Sequence, residues 1–185
     1  MQGFRTRVAN PGWLSNTSFT RQAKKLREEV DKFLHDVGEL EVIIGHSIGG
    51  LEAVGLFGAY PDIKKVIAIE SPFSNGTPWR VVEFGARSMI RILEPMQTAI
   101  LKGIIRKGRP FADRITTVTT VHDKLVPPSF AAFPGAKNII AEEVLSNRKE
   151  RKIFRTHTAL PNSPLIREEI LLPELLSLQE LKATA

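Results

Sequence analysis

Leu40–Gly50, "LEVIIGHSIGG", is the stretch whose reading decides the fold. Leu40 to Ile44 is a short apolar run of the length and β-branched content of a buried strand. It leads without a spacer into Gly45-His46-Ser47-Ile48-Gly49, and the following "LEAVGL" is apolar, small and suited to a helix packed close to a sheet. A serine on a tight strand-to-helix turn takes a strained backbone conformation that lifts its hydroxyl above the sheet. Glycines around it remove Cβ atoms that would clash in such a turn. The helix that starts there directs free N–H groups and a positive dipole end at developing negative charge. G-x-S-x-G in this context marks Ser47 as a nucleophile, set against the plainer reading of a glycine turn that packs helix on strand.

Working outward, short apolar strands alternate with amphipathic helices, the pattern of a parallel sheet covered on both faces. "FRTRVA" (Phe4 to Ala9) reads as a strand, and Ala23, Leu26, Val30, Phe33, Leu34 and Val37 recur at helical spacing up to a natural stop at Gly38. "KKVIAI" (Lys64 to Ile69) is the next strand, and "ESPFSNGTPW" its loop. A long helical stretch runs from Arg80 to Arg106, with Gly85 and Pro95 dividing it. "RITTVTTV" (Arg114 to Val121) and "KNIIAEEV" read as the last strands. Ser163 and Pro164 open a C-terminal helix that Pro173 divides. The expected fold is α/β: a mostly parallel, doubly wound sheet with helices on both faces, in one domain over 1–185 with a helical insertion at 77–112.

The composition is that of a globular chain: 185 residues, 42% hydrophobic and 25% charged. There are no cysteines, which removes disulfides, thiolate catalysis and Cys-ligated metal. No apolar run reaches the ~20 residues that cross a bilayer, and the first residues lack a secretory apolar core. These features favour a cytoplasmic chain. The net charge of +6 is spread over helical segments and loops with no interleaved aromatics, so no nucleic-acid partner is expected.

Serine needs a general base at neutral pH. Of the four histidines, His35 falls in an upstream helix, His46 adjoins the serine, and His122 precedes an acid. His157, on the polar loop "FRTHTALPNSP" after the last strand, is the base by elimination. The acid that orients it should leave the same end of the sheet as Ser47. Asp123, in "VHDKLVPP", follows a strand and is the first choice; Glu70, ending "VIAIE", is the runner-up. Asp113 precedes its strand, at the opposite end.

These residues resemble the lipase and esterase branch of the α/β-hydrolase family. "VIIGHSIGGLEAVGL" resembles its nucleophile elbow, "VIAIESPFSNGTPW" its "SP…GTP" loop, "HDKLVPP" its D-x-x-V-P acid loop, and "HTALPNSPLIREEI" its histidine loop. Thr156 stands where a glycine is usual before the histidine. The likeness covers Phe4 to about Leu172. It implies an ester substrate, an acyl-enzyme intermediate, a Ser47–Asp123–His157 triad, the Ile48 N–H as one oxyanion donor, and neither cofactor nor metal. An acyltransferase or peptidase would use the same triad, and fold alone does not separate them.

One family element has no counterpart. A strand ending in a His-Gly loop normally precedes the strand that "FRTRVA" resembles and supplies the second oxyanion N–H. Three arrangements fit: a truncated N-terminus, direct pairing of the two flanking strands, or a strand donated by another chain. Loss of that donor costs roughly 10²–10³ in rate, so an impaired, binding-only module is the alternative function. Gly12 or Trp13 is a conceivable substitute donor, but the second donor is unassigned. The stretch 80–109 is a candidate lid, and Arg87, Arg91, Lys102, Arg106 and Lys107 beside its apolar stripe suit a membrane or lipid surface. Packing on the chain's own sheet is the plainer reading.

Overall fold

The computed structural model describes residues 5–9, 19–74, 99–145 and 159–183. The chain divides into two compact units, Met1–Glu41 and Val42–Ala185.

In the first unit a helix, α1, spans Phe19–Val37. It ends as its sequence requires: Gly38 takes φ +87°, and its N–H donates to the Leu34 carbonyl at 2.7 Å. That left-handed residue is open to glycine and costly for others. The expected strand at "FRTRVA" is not formed. Residues 5–9 lie exposed and outside any strand, with Val8 93% exposed. A strand is held by ladder partners, and among the described residues these five have none.

The second unit is built on a four-stranded parallel sheet in the order β1 (Val42–His46), β2 (Lys65–Ile69), β3 (Ile115–Thr119), β4 (Lys137–Ile140). The register runs His46 to Ile69, Ile69 to Val118, and Val118 to Ile139. All residues of β3 are buried, and so are all but the first of β2, as central parallel strands require. The threonines of β3 tolerate this because each hydroxyl is bonded: Thr116 to Glu174, Thr117 to Asn138, Thr119 to the Val126 carbonyl. Ile67, Ile69, Val118 and Ile139 share a core with Leu160, Ile166 and Ile170 of the C-terminal segment.

On the other face α2 (Ile48–Gly55) lies against β2, with Gly50 directly over Ala68. Residues 99–108 are helical and press on α2 from outside, Gly108 against Val54 and Ile104 beside Gly55. Covered on both sides, α2 has five consecutive buried residues, Gly50–Val54. The rest of the expected insertion, 77–98, lies outside the described residues.

Two expectations are corrected in detail. Only the first half of "KNIIAEEV" is strand; Ala141–Val144 turns into a short helix. Pro173 does not divide the C-terminal segment into separate helices. Ile166–Leu171 forms a π-helical stretch that runs straight into α3 (Leu172–Ala183). Proline has no N–H and crowds the carbonyl four residues back, and the wider preceding turn accommodates it. Among the described residues no helix is long and apolar enough to cross a membrane.

At the starting ends of the strands, Glu174 of α3 is engaged by Lys65, Lys137 and Thr116. Burial pushes its carboxyl up, but the hydrogen bonds and charges of the two lysines outweigh that and hold it below its ordinary value.

Candidate active site

The finishing ends of β1, β2 and β3 lie side by side and carry Ser47, Glu70 and Asp123 in that order. Ser47 joins β1 to α2 with φ +56° and ψ −125°. For a residue with a Cβ this is a strained conformation. It is held by the neighbouring strand, since the Ser47 N–H donates to the Ile69 carbonyl at 2.8 Å. The Gly50 N–H donates back to the Ser47 carbonyl at 3.1 Å.

The glycines around the serine divide their work differently from the motif. A Cβ on Gly45 would stand 2.4 Å from the Gly49 carbonyl oxygen, so the turn closes only over a glycine there. A Cβ on Gly49 would meet open space. The second position under steric demand is Gly50, where a Cβ would lie 2.0 Å from the Ser71 hydroxyl oxygen. Ser71 is fully buried, with its Oγ donating to the Ile69 carbonyl at 3.2 Å. The doubled glycine of "SIGG" was the available signal for this contact.

Ile48 is the first residue of α2, so its N–H stands among the free amides at the helix start. Asp123 is 2% exposed in the turn after β3. Its Oδ1 accepts the N–H of Leu125 at 2.8 Å and of Val126 at 3.0 Å. That turn is anchored from β4's side: Glu142 bonds the Thr120 hydroxyl and takes the Val121 N–H at 3.2 Å. The His122 N–H in turn donates to the Thr120 hydroxyl, and the Asp123 N–H to the Thr120 carbonyl. Nothing in the local sequence singles out Glu142, because its partners lie 21 and 22 residues away.

Glu70 is fully buried with φ +48°, and its Oε2 lies 3.4 Å from His46 Nε2. His35 and His122 are exposed. His157 and Thr156 lie outside the described residues, as do Gly12 and Trp13. A further acid, Glu52 in α2, is buried with no hydrogen-bond partner on Oε1, and burial pushes its carboxyl up to about 7. Among the described residues no group of His, Asp and Glu is clustered to hold a metal.

No protein-family model matches the sequence, and no curated protein matches it. Solved structures do. The protein assigned as non-heme bromoperoxidase BpoC of Mycobacterium tuberculosis H37Rv superposes with a TM-score of 0.55 at 12% identity, covering 88% of this chain and 75% of that one. The esterase domain of a Rhodothermus marinus protein gives 0.47 at 18% identity, over 72% of this chain and 64% of the domain. An α/β hydrolase from the sediment metagenome of the Mar Chica lagoon, Morocco, gives 0.47 at 19%, over 90% and 73%. This chain thus spans less than two thirds of the length of the Rhodothermus domain. With the parallel sheet and the strained serine at its strand-to-helix junction, the fold is that of the α/β hydrolases.

Proposed function

We propose that this α/β-hydrolase chain cleaves carboxylic esters through Ser47, as a lipase- or esterase-like serine hydrolase. The observation that carries the reading is the backbone of Ser47. A non-glycine residue held at φ +56° by a neighbouring strand stores strain that folding alone does not need. It puts a hydroxyl at the start of a helix, where amides face outward.

In this reading Ser47 Oγ attacks the ester carbonyl while His157 takes its proton, and the Ile48 N–H receives the oxyanion. The tetrahedral adduct then collapses: its bond to the alcohol oxygen breaks, the His157 imidazolium protonates the leaving alcohol, and the acyl-enzyme remains. Water, deprotonated by the same imidazole, then frees the acid. Asp123 orients His157 and stabilises its cationic form. Two backbone N–H groups on its Oδ1 hold the Asp123 side chain in place. The second oxyanion donor is unassigned; in serine hydrolases, loss of one such donor costs roughly 10²–10³ in rate. The reading takes a small-molecule or lipid ester as substrate, with 80–109 as a candidate lid or lipid-contact segment.

Labelling with a fluorophosphonate probe and turnover of p-nitrophenyl esters test this. Ser47→Ala should abolish both, and His157→Ala and Asp123→Asn should each cost at least a hundredfold in turnover. Wild type that neither labels nor turns over would leave the binding-module reading. Full activity in His157→Ala would remove the base, and greater damage from Glu70→Gln than from Asp123→Asn would move the acid to Glu70.

A further inference from the structure

We propose that Glu70 is a positioning residue, one that holds His46 and through it the turn bearing Ser47; this rests on the hydrolase reading of Ser47. Glu70 combines two costs in one residue. Its backbone is left-handed, a region that suits glycine and, less well, asparagine or aspartate. Its carboxyl is fully removed from water. Such costs persist where surroundings over-determine them, and they collect at functional sites.

What the residue gains is a grip on the nucleophile turn. Consecutive residues of one strand end hold consecutive residues of the next. The Ile69 carbonyl takes the Ser47 N–H at 2.8 Å, and the Glu70 carboxylate meets the His46 imidazole at 3.4 Å. The gripping segment is itself fixed from the far side, because the Glu70 N–H donates to the Val118 carbonyl of β3 at 2.8 Å. His46 is partly exposed at the site while Glu70 is sealed beneath it, with side-chain exposures of 31% and 0%. The carboxylate therefore acts on the serine's immediate neighbour in the chain. A purely structural Glu70 would satisfy a buried imidazole and leave Ser47 reactivity alone.

A double-mutant cycle separates these roles. Glu70→Gln keeps the length of the side chain but removes its charge. Glu70→Asn suits the left-handed backbone yet falls short of His46. His46→Gln removes the imidazole. For each single variant and for the Glu70→Gln/His46→Gln double, the labelling rate of Ser47 by a fluorophosphonate and the Tm are measured on the folded chain. The expected result is at least a tenfold slower labelling in both Glu70 variants with Tm kept in Glu70→Asn, and a double variant no slower than His46→Gln. Glu70 variants that melt early but label at the wild-type rate overturn the proposal, as does a double variant whose losses multiply. Wild type that fails to label at Ser47 would instead sink the hydrolase reading. The Tm cycle then still decides: non-additive shifts support the His46–Glu70 grip and additive shifts overturn it.

Discussion

The Ser47 amide hangs from the Ile69 carbonyl of the adjacent strand at 2.8 Å, so the strained turn is part of the sheet and not a loop beside it. A residue fixed this way cannot relax without loosening β1 from β2. That coupling makes small steric changes around the serine legible in stability as well as in reactivity.

Gly45→Ala and Gly50→Ala should each destabilise by about 1–3 kcal/mol, the usual range for overpacking. Their added carbons would meet the Gly49 carbonyl at 2.4 Å and the Ser71 hydroxyl at 2.0 Å. Gly49→Ala has open space inside a helix and should be neutral or gain ~0.5–1 kcal/mol. Urea denaturation of the three variants checks the order, and adding Ser71→Gly should restore only part of the Gly50→Ala loss, since the Ala68 Cβ still stands 2.9 Å away.

Glu52 sets a slope of stability against pH. Its carboxyl is raised from 4.5 to about 7 in the folded chain, so the folded state binds a proton that the unfolded state releases. Its favourable contribution is complete below about pH 4.5 and fades as pH rises to about 7. The loss is at most about 3 kcal/mol. Glu52→Gln should flatten that slope in urea titrations between pH 5 and pH 8 (about the span of the shift); an unchanged slope would remove Glu52 as its source.

Glu174 acts in the opposite sense. Its carboxyl is held down by Lys137 and Lys65, so its contribution is present above the ordinary value of 4.5 and is lost as pH falls through the lower folded value. Glu174→Gln should destabilise by about 3 kcal/mol at neutral pH, because it strands a partly buried Lys65. The gap from wild type should narrow in acid, as read by thermal melts.

Glu142→Ala should leave the sheet folded but free the turn that carries Asp123. Two bonds to that turn, on the Thr120 hydroxyl and the Val121 N–H, are lost. Ester turnover should fall roughly tenfold or more, since displacement of a catalytic group by about 1 Å costs up to 10². The loss should appear in kcat, with little change in KM. A variant as active as wild type would show that the turn holds itself.

Much of this architecture is legible in the sequence. The apolar runs at Val42–His46, Lys65–Ile69 and Ile115–Thr119 are all parallel strands, because both faces of each central one are buried and the sequence has to be apolar or β-branched throughout. The turn at Ser47 was legible because glycine spacing records a steric demand. "FRTRVA" was misread because its composition is strand-like, while strand formation depends on partners that local sequence does not reveal. Contacts made across the sheet left no local trace either. The Glu70 grip on His46, the Glu142 anchor of the acid turn and the burial of Glu52 all arise from residues far apart in sequence. Glu70 was seen only as a possible triad acid, since its left-handed backbone is invisible in a glutamate.

The carboxylate of Glu174 draws together the first residues of β2 and β4 and a threonine of β3. It works like a keystone at the foot of the sheet, while the serine turn and the acid turn crown the opposite end. Grafting and recombination can therefore treat the two ends as separate modules. Loops at the crown can be exchanged to alter what is recognised, whereas a cut that removes α3 takes the foundation from three strands at once.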